Sequence, residues 1–121
     1  DNQRFFNRIT LERLFRFTST YVFKINDDKL IICKLAGVKE IPFSAIEKIE
    51  PYKDYHSDIR LRGTEAFLGY TGLFRNKELG KYTAFVGNYS QAFYIRTKSG
   101  KIYVTSSEQR EEIIRQIQLK L

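Results

Sequence analysis

The sequence predicts a mainly β (α+β) domain in which about seven antiparallel strands are closed by a C-terminal amphipathic helix. Two observations lead to this prediction. From position 19 to position 106, short runs rich in Val, Ile, Phe and Tyr alternate with turn-forming residues, which is typical of strands. After position 107, apolar residues recur at a helical spacing instead. The chain has 121 residues, the usual length of one domain with one core.

The N-terminal residues 1–18 are predicted to form a basic amphipathic segment that precedes the domain proper, residues 19–121. Leu11, Leu14 and Phe15 fit one helical stripe, and arginines surround them. Two interpretations stay open: a helix docked on the domain, or a helix lying at a lipid headgroup layer. Because the sequence has no methionine, even at position 1, we expect the chain to be processed or trimmed.

The first half of the domain is predicted to hold three strands. These apolar runs cover residues 19–25, 29–35 and 38–43. The polar residues 26–28 between the first two runs predict a hairpin turn. A short helical turn is expected at 44–47, where Ser44 and Glu47 match a capping box. Ile46 and Ile49 are predicted to point into the core.

The middle of the chain is polar and then rich in glycine. Residues 50–60 lack periodicity, which predicts a loop with His56 in solvent. Residues 61–74 contain three glycines and predict one strongly bent strand. The spacing of these glycines matches neither a dinucleotide fingerprint nor a Walker motif, so a phosphate loop is not indicated. Residues 75–80 are predicted to form a basic connection.

The last part of the domain is predicted to hold three strands and the helix. The strands cover residues 81–86, 91–97 and 101–106, the last two joined by a turn at 98–100, and their alternation predicts one inward face. The helix is predicted at 108–121, capped either by Ser106 with Gln109 or by Ser107. Its apolar stripe consists of Ile113, Ile114, Ile117 and Leu121.

We predict neither catalytic nor metal-binding residues, and no cofactor. His56 is the only histidine, and no Ser or Cys partner is indicated for it by the pattern. Metal sites need several donors at defined spacings, which scattered carboxylates do not provide. Cys33 is the only cysteine, so the chain has no internal disulfide. We therefore expect a protein that is not an enzyme.

The chain is basic, with a net charge of +7, and most of this excess lies in residues 61–121. A basic excess suits an anionic partner, and it also suits plain solubility. No apolar run of about 18 residues is present, so the sequence predicts no membrane span. The candidate contacts to an anion or a membrane are basic residues of adjoining predicted loops, namely Arg75, Lys77, Lys81, Arg96, Lys98 and Lys101.

Three stretches of the chain resemble bacterial pleckstrin-homology-like (PH-like) domains. YVFKINDDKLIICKLAGVKEIPFSAIEKIEP (21–51) is similar to their opening, with two strands followed by an Ile-Pro-x-x-x-Ile bend. RGTEAFLGYTGLF (62–74) with LGKYTAF (79–85) is similar to their glycine-rich middle strands. FYIRTKSGKIYVTSSEQREEIIRQI (93–117) is similar to their final hairpin, cap and helix. The resemblance covers about residues 20–121 and implies a PH-like barrel.

This resemblance implies a binding module rather than a particular ligand. Bacterial PH-like domains often lie beside transmembrane helices, and most have no known ligand. Eukaryotic PH domains that bind inositol phosphates use a basic cluster in the first hairpin loop. Here that loop is Asn26-Asp27-Asp28, which is acidic and argues against phosphoinositide recognition.

We predict a non-catalytic binding module that acts at or near a membrane surface. The alternative is a protein–protein interaction or oligomerisation module with no lipid ligand, suggested by aromatic residues such as Phe5 and Phe17 in the N-terminal segment. Nucleic acid is not an expected partner, because no nucleic-acid-binding motif is present. The expected location is the cytoplasm, with attachment to a membrane through a segment outside these residues as a further possibility.

Overall fold

The computed structural model describes residues 13–15, 22–34, 37–53, 55–56, 58–66 and 69–121. Within these residues the fold consists of a four-stranded sheet, a six-stranded sheet and a C-terminal helix. This architecture confirms a mainly β fold that ends in a helix. The two sheets do not close into a barrel within the described part of the chain.

The four-stranded sheet is antiparallel and follows the chain order. Its strands are β1 (Arg13–Phe15), β2 (Val22–Ile25), β3 (Lys29–Lys34) and β4 (Gly37–Pro42). The predicted turn between β2 and β3 is confirmed, since Asn26 Oδ1 accepts hydrogen bonds from the backbone N–H groups of Asp28 and Lys29. The helix expected in residues 1–18 is wrong at β1, because these residues form a strand that pairs with β2. The other residues of 1–18 lie outside the described residues.

A 3-10 turn at Phe43–Ala45 connects the two sheets. The capping box expected at Ser44 and Glu47 is wrong, because the turn is too short and no side chain caps it. The predicted inward positions are confirmed, since Ile46 and Ile49 are 3% and 1% exposed. The turn therefore redirects the chain while its flanking residues stay in the core.

The six-stranded sheet has the order β5-β9-β10-β8-β7-β6. Its strands are β5 (Ile46–Pro51), β6 (Ile59–Ala66), β7 (Gly69–Asn76), β8 (Gly80–Val86), β9 (Ala92–Thr97) and β10 (Ile102–Ser106). The loop predicted at 50–60 is shorter than expected, because β5 includes its first residues and β6 includes its last residues. The single bent strand predicted at 61–74 is wrong, since this segment holds most of the β6–β7 pair. The glycine pattern marked close backbone approach between two strands, at Gly63 and Gly72.

One strand pair departs from the predicted antiparallel arrangement. Strands β8 and β10 are parallel, with Tyr103 opposite Thr83. After β8, a 3-10 turn at Tyr89–Gln91 leads to β9, which lies on the far side of β10. Ser106 Oγ holds this crossover by accepting hydrogen bonds from the backbone N–H groups of Gly87 and Asn88, at 2.9 and 3.2 Å. The hairpin turns before β8 and before β10 therefore lie at the same end of the sheet.

The core lies on both faces of the six-stranded sheet. One cluster fills the space between the two sheets and the helix, with Phe23, Phe93 and Ile95 fully buried. A second cluster lies on the other face and includes Tyr52 and Tyr82, with Tyr55 packed against it. The prediction of a single inward face for the last hairpin is therefore wrong. Both alternating sets of side chains are buried in β9 and β10.

The C-terminal helix α1 (Arg110–Gln118) packs on β5 and the first core cluster. Both predicted serine caps are wrong, because the N-cap residue is Gln109 and no side chain caps the helix. Ser107 Oγ accepts a hydrogen bond from the backbone N–H of Gln109 in the turn that precedes the helix. Three isoleucines of the predicted stripe, Ile113, Ile114 and Ile117, are buried, whereas Leu121 lies beyond the helix and is 51% exposed. In the described part of the chain, no helix has the length and apolar character that crossing a bilayer requires.

Candidate functional site

Asp58, one residue before β6, is the centre of a hydrogen-bond network. Its Oδ2 accepts hydrogen bonds from the hydroxyl groups of Tyr52 and Tyr82, both at 2.5 Å. Its Oδ1 accepts a hydrogen bond from Asn76 Nδ2 at 2.6 Å. The Tyr82 and Tyr89 hydroxyls are 2.9 Å apart. Because the Tyr82 proton points to Asp58, the Tyr89 hydroxyl is the donor in this last pair. We call these five residues the tyrosine–aspartate network.

The network joins the segment after β5 to the ends of β7 and β8. Tyr82 and Asn76 are only 1% and 5% exposed, so their polar groups need partners inside the protein. Asn76 also forms the β7–β8 turn, since its Oδ1 accepts the backbone N–H groups of Glu78 and Leu79. Asp58 therefore satisfies groups from three parts of the six-stranded sheet at once.

The network raises the pKa of both of its central tyrosines. For Tyr52 and for Tyr82, burial is the largest cause, and the hydrogen bond to Asp58 and its negative charge add to it. Both phenols consequently remain protonated far above their ordinary value of 10.0. They act as fixed hydrogen-bond donors rather than as acids or bases.

We expect the protein to lose stability in alkali because of these two tyrosines. Above pH 10 they ionise in the unfolded chain and not in the folded one, so the unfolded state binds fewer protons and the free energy of unfolding falls as pH rises. Each tyrosine should lower the free energy of unfolding by about 1.4 kcal/mol in total between pH 9 and pH 11, and its slope approaches about 1.4 kcal/mol per pH unit only above that range. Urea denaturation between pH 9 and 11 measures the slope. Tyr52→Phe should reduce this pH dependence by the contribution of one tyrosine. An unchanged pH dependence would show that the pKa of Tyr52 is not raised in the folded protein.

A pocket of about 290 Å³ opens beside the network, and we call it the aromatic pocket. Its lining residues are Tyr55, His56, Asp58, Tyr70, Phe74 and Tyr89. The Tyr70 and Tyr89 ring centroids are 4.8 Å apart with planes at 64°, so these two rings form a corner. Tyr55 stacks on Tyr89 at 5.1 Å, with planes at 28°. The pocket thus combines aromatic walls with one carboxylate.

A group of lysine and aromatic side chains lies on the opposite face of the six-stranded sheet, around Tyr103 and Phe85. Lys39 of β4 and Lys101 before β10 place their Nζ atoms 4.9 and 5.3 Å from the centre of the Tyr103 ring. Lys34 of β3 lies 4.9 Å from the centre of the Phe85 ring. The two rings are 6.3 Å apart. Three ammonium groups from both sheets thus converge on adjacent rings.

The pKa of Tyr103 is lowered by the nearby lysines. Burial alone would raise it, but the hydrogen bonds and positive charges of Lys39 and Lys101 outweigh burial and lower it. Neither these two lysines nor Lys34 takes part in an ion pair among the described residues. Their charges therefore remain available to an anion.

The six basic residues singled out from the sequence divide between the two faces of the sheet. Thr83 of β8 lies opposite Tyr103 of β10, and Lys81 and Lys101 each lie two residues earlier in their chains, on the same face. Arg75 pairs with Lys81, so all three basic residues share the face of Tyr103. Arg96 pairs with Ile102 and lies on the opposite face. Lys77 and Lys98 occupy the two hairpin turns at the same end of the sheet, and both are exposed.

Sequence reasoning missed Lys34 and Lys39, and it also missed the pocket. The two lysines occupy inward-facing positions of their strands, and only the meeting of the two sheets reveals what they face. Tyr52, Tyr55 and Asp58 lie in the segment interpreted as a polar loop. The signal that could have revealed them is the density of tyrosines there, because tyrosine buries its ring while its hydroxyl needs a partner.

Comparison with known proteins identifies one family that the chain matches. The family described as Bacterial PH domain matches residues 21–121. No curated protein and no solved structure matches the chain significantly. Among the residues that the structure describes, no group of His, Cys, Asp and Glu side chains is arranged to hold a metal ion.

Proposed function

The chain belongs to the bacterial PH domain family, and on this premise we propose that it is a binding module that docks on an anionic lipid surface through a basic edge. PH domains are generally non-catalytic binding modules, which is consistent with tyrosines held as permanent donors. The basic edge is formed by Lys34, Lys39, Arg75, Lys81 and Lys101.

The observation that carries this proposal is the convergence of Lys39 and Lys101 on the Tyr103 ring. Like charges repel, so bringing cations from two sheets together without a neutralising acid costs free energy. The ring faces offset part of this cost, because a cation over an exposed ring gains about 0.5–1 kcal/mol. An anionic partner would remove the remaining repulsion and would be attracted strongly.

A lipid surface suits the basic edge better than a small anion does. Arg75, Lys81 and Lys101 lie at one end of the sheet, and Lys39 and Lys34 continue the row of charges along β8 toward Phe85, so the charges form a row instead of surrounding a pocket. Ile59 pairs with Arg75 on the same face and is 59% exposed, which adds an apolar contact beside the charges. Each basic residue near an anionic membrane contributes about 1 kcal/mol of attraction.

Charge reversal at the basic edge tests the proposal. We expect the chain to co-sediment with vesicles that contain phosphatidylserine and to be released from them by high salt, whereas any binding to purely neutral vesicles should not depend on the basic edge. Lys101→Glu and Lys81→Glu should each weaken the partition constant by about 30-fold, because each changes the local charge by two.

Arg60→Glu is the matched control, because it changes the total charge equally. Arg60 is exposed and pairs with Phe74, so it lies on the opposite face of the sheet. This variant should bind nearly as the unaltered chain does. If Arg60→Glu and Lys101→Glu weaken vesicle binding equally, the effect comes from net charge alone, and the basic edge is refuted. If the unaltered chain does not bind anionic vesicles even at low salt, docking on a lipid surface is refuted.

A further inference from the structure

We propose that the aromatic pocket binds the quaternary ammonium group of a small organic cation such as choline. This site is on the face of the sheet opposite the basic edge, and it takes a ligand of the opposite charge. The proposal is therefore independent of the lipid surface. It rests on the shape of the pocket, on its aromatic lining and on the position of Asp58.

The walls of the pocket have the chemistry that attracts an organic cation. The rings of Tyr70 and Tyr89 line the pocket, and alkylated ammonium groups bind to the negative faces of such rings. Tyr55 stacks on Tyr89 and lies 4.5 Å from the His56 ring, so it holds Tyr89 in place rather than offering a free face. Because Tyr70 and Tyr89 meet at 64°, a cation in their corner can contact two differently oriented rings. Phe74 is 3% exposed and supplies an apolar floor. Methyl groups around a positive nitrogen match these surfaces.

Asp58 supplies the negative charge at the inner end of the pocket. Its carboxylate already accepts hydrogen bonds from Tyr52, Tyr82 and Asn76, which fills about three of its four acceptor positions. A primary ammonium or a guanidinium would need several acceptors there and would find few. A quaternary ammonium donates no hydrogen bonds, so it can use the charge of Asp58 without competing for its oxygens.

The size of the pocket limits the ligand to a small group. Its volume of about 290 Å³ is at the lower end of the range of ligand pockets. Because the pocket is open to solvent, a trimethylammonium headgroup can contact its walls while the rest of a larger molecule extends into solvent. The same headgroup can come from free choline or from a choline lipid, and the test separates these two sources.

Titration of the full 121-residue chain with choline chloride, followed by NMR and calorimetry, tests the proposal. The neutral isostere 3,3-dimethylbutan-1-ol has the same shape without the charge, and ethanolamine has the charge without the methyl groups. We expect saturable shifts at Tyr55, Tyr70 and Tyr89 with choline, weaker binding of ethanolamine and no saturable binding of the alcohol.

Two substitutions of Tyr70, which forms the corner with Tyr89, make the matched pair. Tyr70→Leu keeps an apolar side chain but removes the ring face, and it should weaken choline binding by about fivefold or more. Tyr70→Phe keeps the ring and should bind as the unaltered chain does. Equal affinities in Leu and Phe variants that remain folded, or equal binding of choline and the alcohol, would overturn the proposal.

The source of the headgroup is decided with neutral phosphatidylcholine vesicles. Saturation by free choline, lost in Tyr70→Leu, assigns the pocket to a soluble cation. Binding to the vesicles alone, with the same sensitivity to Tyr70→Leu, assigns it to a lipid headgroup. If neither probe binds, the pocket does not recognise quaternary ammonium groups. Since this pocket and the basic edge occupy opposite faces, Lys101→Glu should leave choline binding unchanged, which distinguishes failure of one proposal from failure of the other.

Discussion

Replacing Asp58 by alanine is expected to lower the free energy of unfolding by about 3–5 kcal/mol. The substitution removes the acceptor of three hydrogen bonds that the buried groups of Tyr52, Tyr82 and Asn76 donate. Each hydrogen bond to a charged group contributes about 1.5–3 kcal/mol, and the remaining Tyr82–Tyr89 hydrogen bond offsets part of the loss. Urea denaturation at neutral pH, followed by circular dichroism, measures the change.

Two variants control for the loss of a carboxylate. Asp27 is exposed in the β2–β3 turn, and Asp27→Ala should change stability by less than about 0.5 kcal/mol. Asp58→Asn keeps one acceptor oxygen of the same shape and should have an intermediate effect. If Asp58→Ala proves as mild as Asp27→Ala, then the hydrogen bonds to Asp58 do not contribute to stability as proposed.

Replacing Gly72 by alanine is expected to cost about 3 kcal/mol or more. Gly72 lies opposite Gly63 in the β6–β7 pair and has a φ of +129°, a conformation that L-residues rarely adopt. A Cβ atom at this position would collide with the carbonyl oxygen of Arg62 and would lie 2.6 Å from the Cα atom of Gly63. Since these atoms belong to the backbone, the two strands would have to separate.

Gly37→Ala separates backbone strain from collision. Gly37 has a similar φ of +126°, but no atom lies within 4 Å of the Cβ that alanine would add. It should therefore cost only the strain, about 1–3 kcal/mol. Amide hydrogen exchange in β6 and β7 should accelerate in Gly72→Ala and stay unchanged in Gly37→Ala. If Gly72→Ala and Gly37→Ala lower the free energy of unfolding equally, and amide exchange in β6 and β7 is unchanged in both, then the close approach of these strands does not cause the cost of Gly72→Ala.

Local pattern was sufficient to predict several elements. The strands beginning at Lys29 and at Ala92, the turn at Asn26 and the final helix all follow from the order of apolar and polar residues. Side-chain alternation and helical spacing act over a few residues, so they can be read along the chain. The division between residues 1–18 and 19–121 stays a prediction.

Pairings between distant segments could not be predicted in this way. The apolar runs of β8 and β10 would have suited antiparallel neighbours equally well, and only the crossover held by Ser106 makes them parallel. That arrangement brings Lys81 beside Lys101. The six basic residues chosen from the sequence consequently divide between two faces, and Lys34 and Lys39 enter from the other sheet.

The sequence by itself determined the β class, the closing helix, the family resemblance and a basic excess in the second half of the chain, because each depends on composition or on short-range periodicity. The tertiary structure alone decided which charges meet and which tyrosines share Asp58. Asp58 lies 24 residues from Tyr82 and 18 from Asn76 along the chain. Hydrogen bonds and charge interactions act over a few ångströms in space, so only strand order and register determine which distant residues they join.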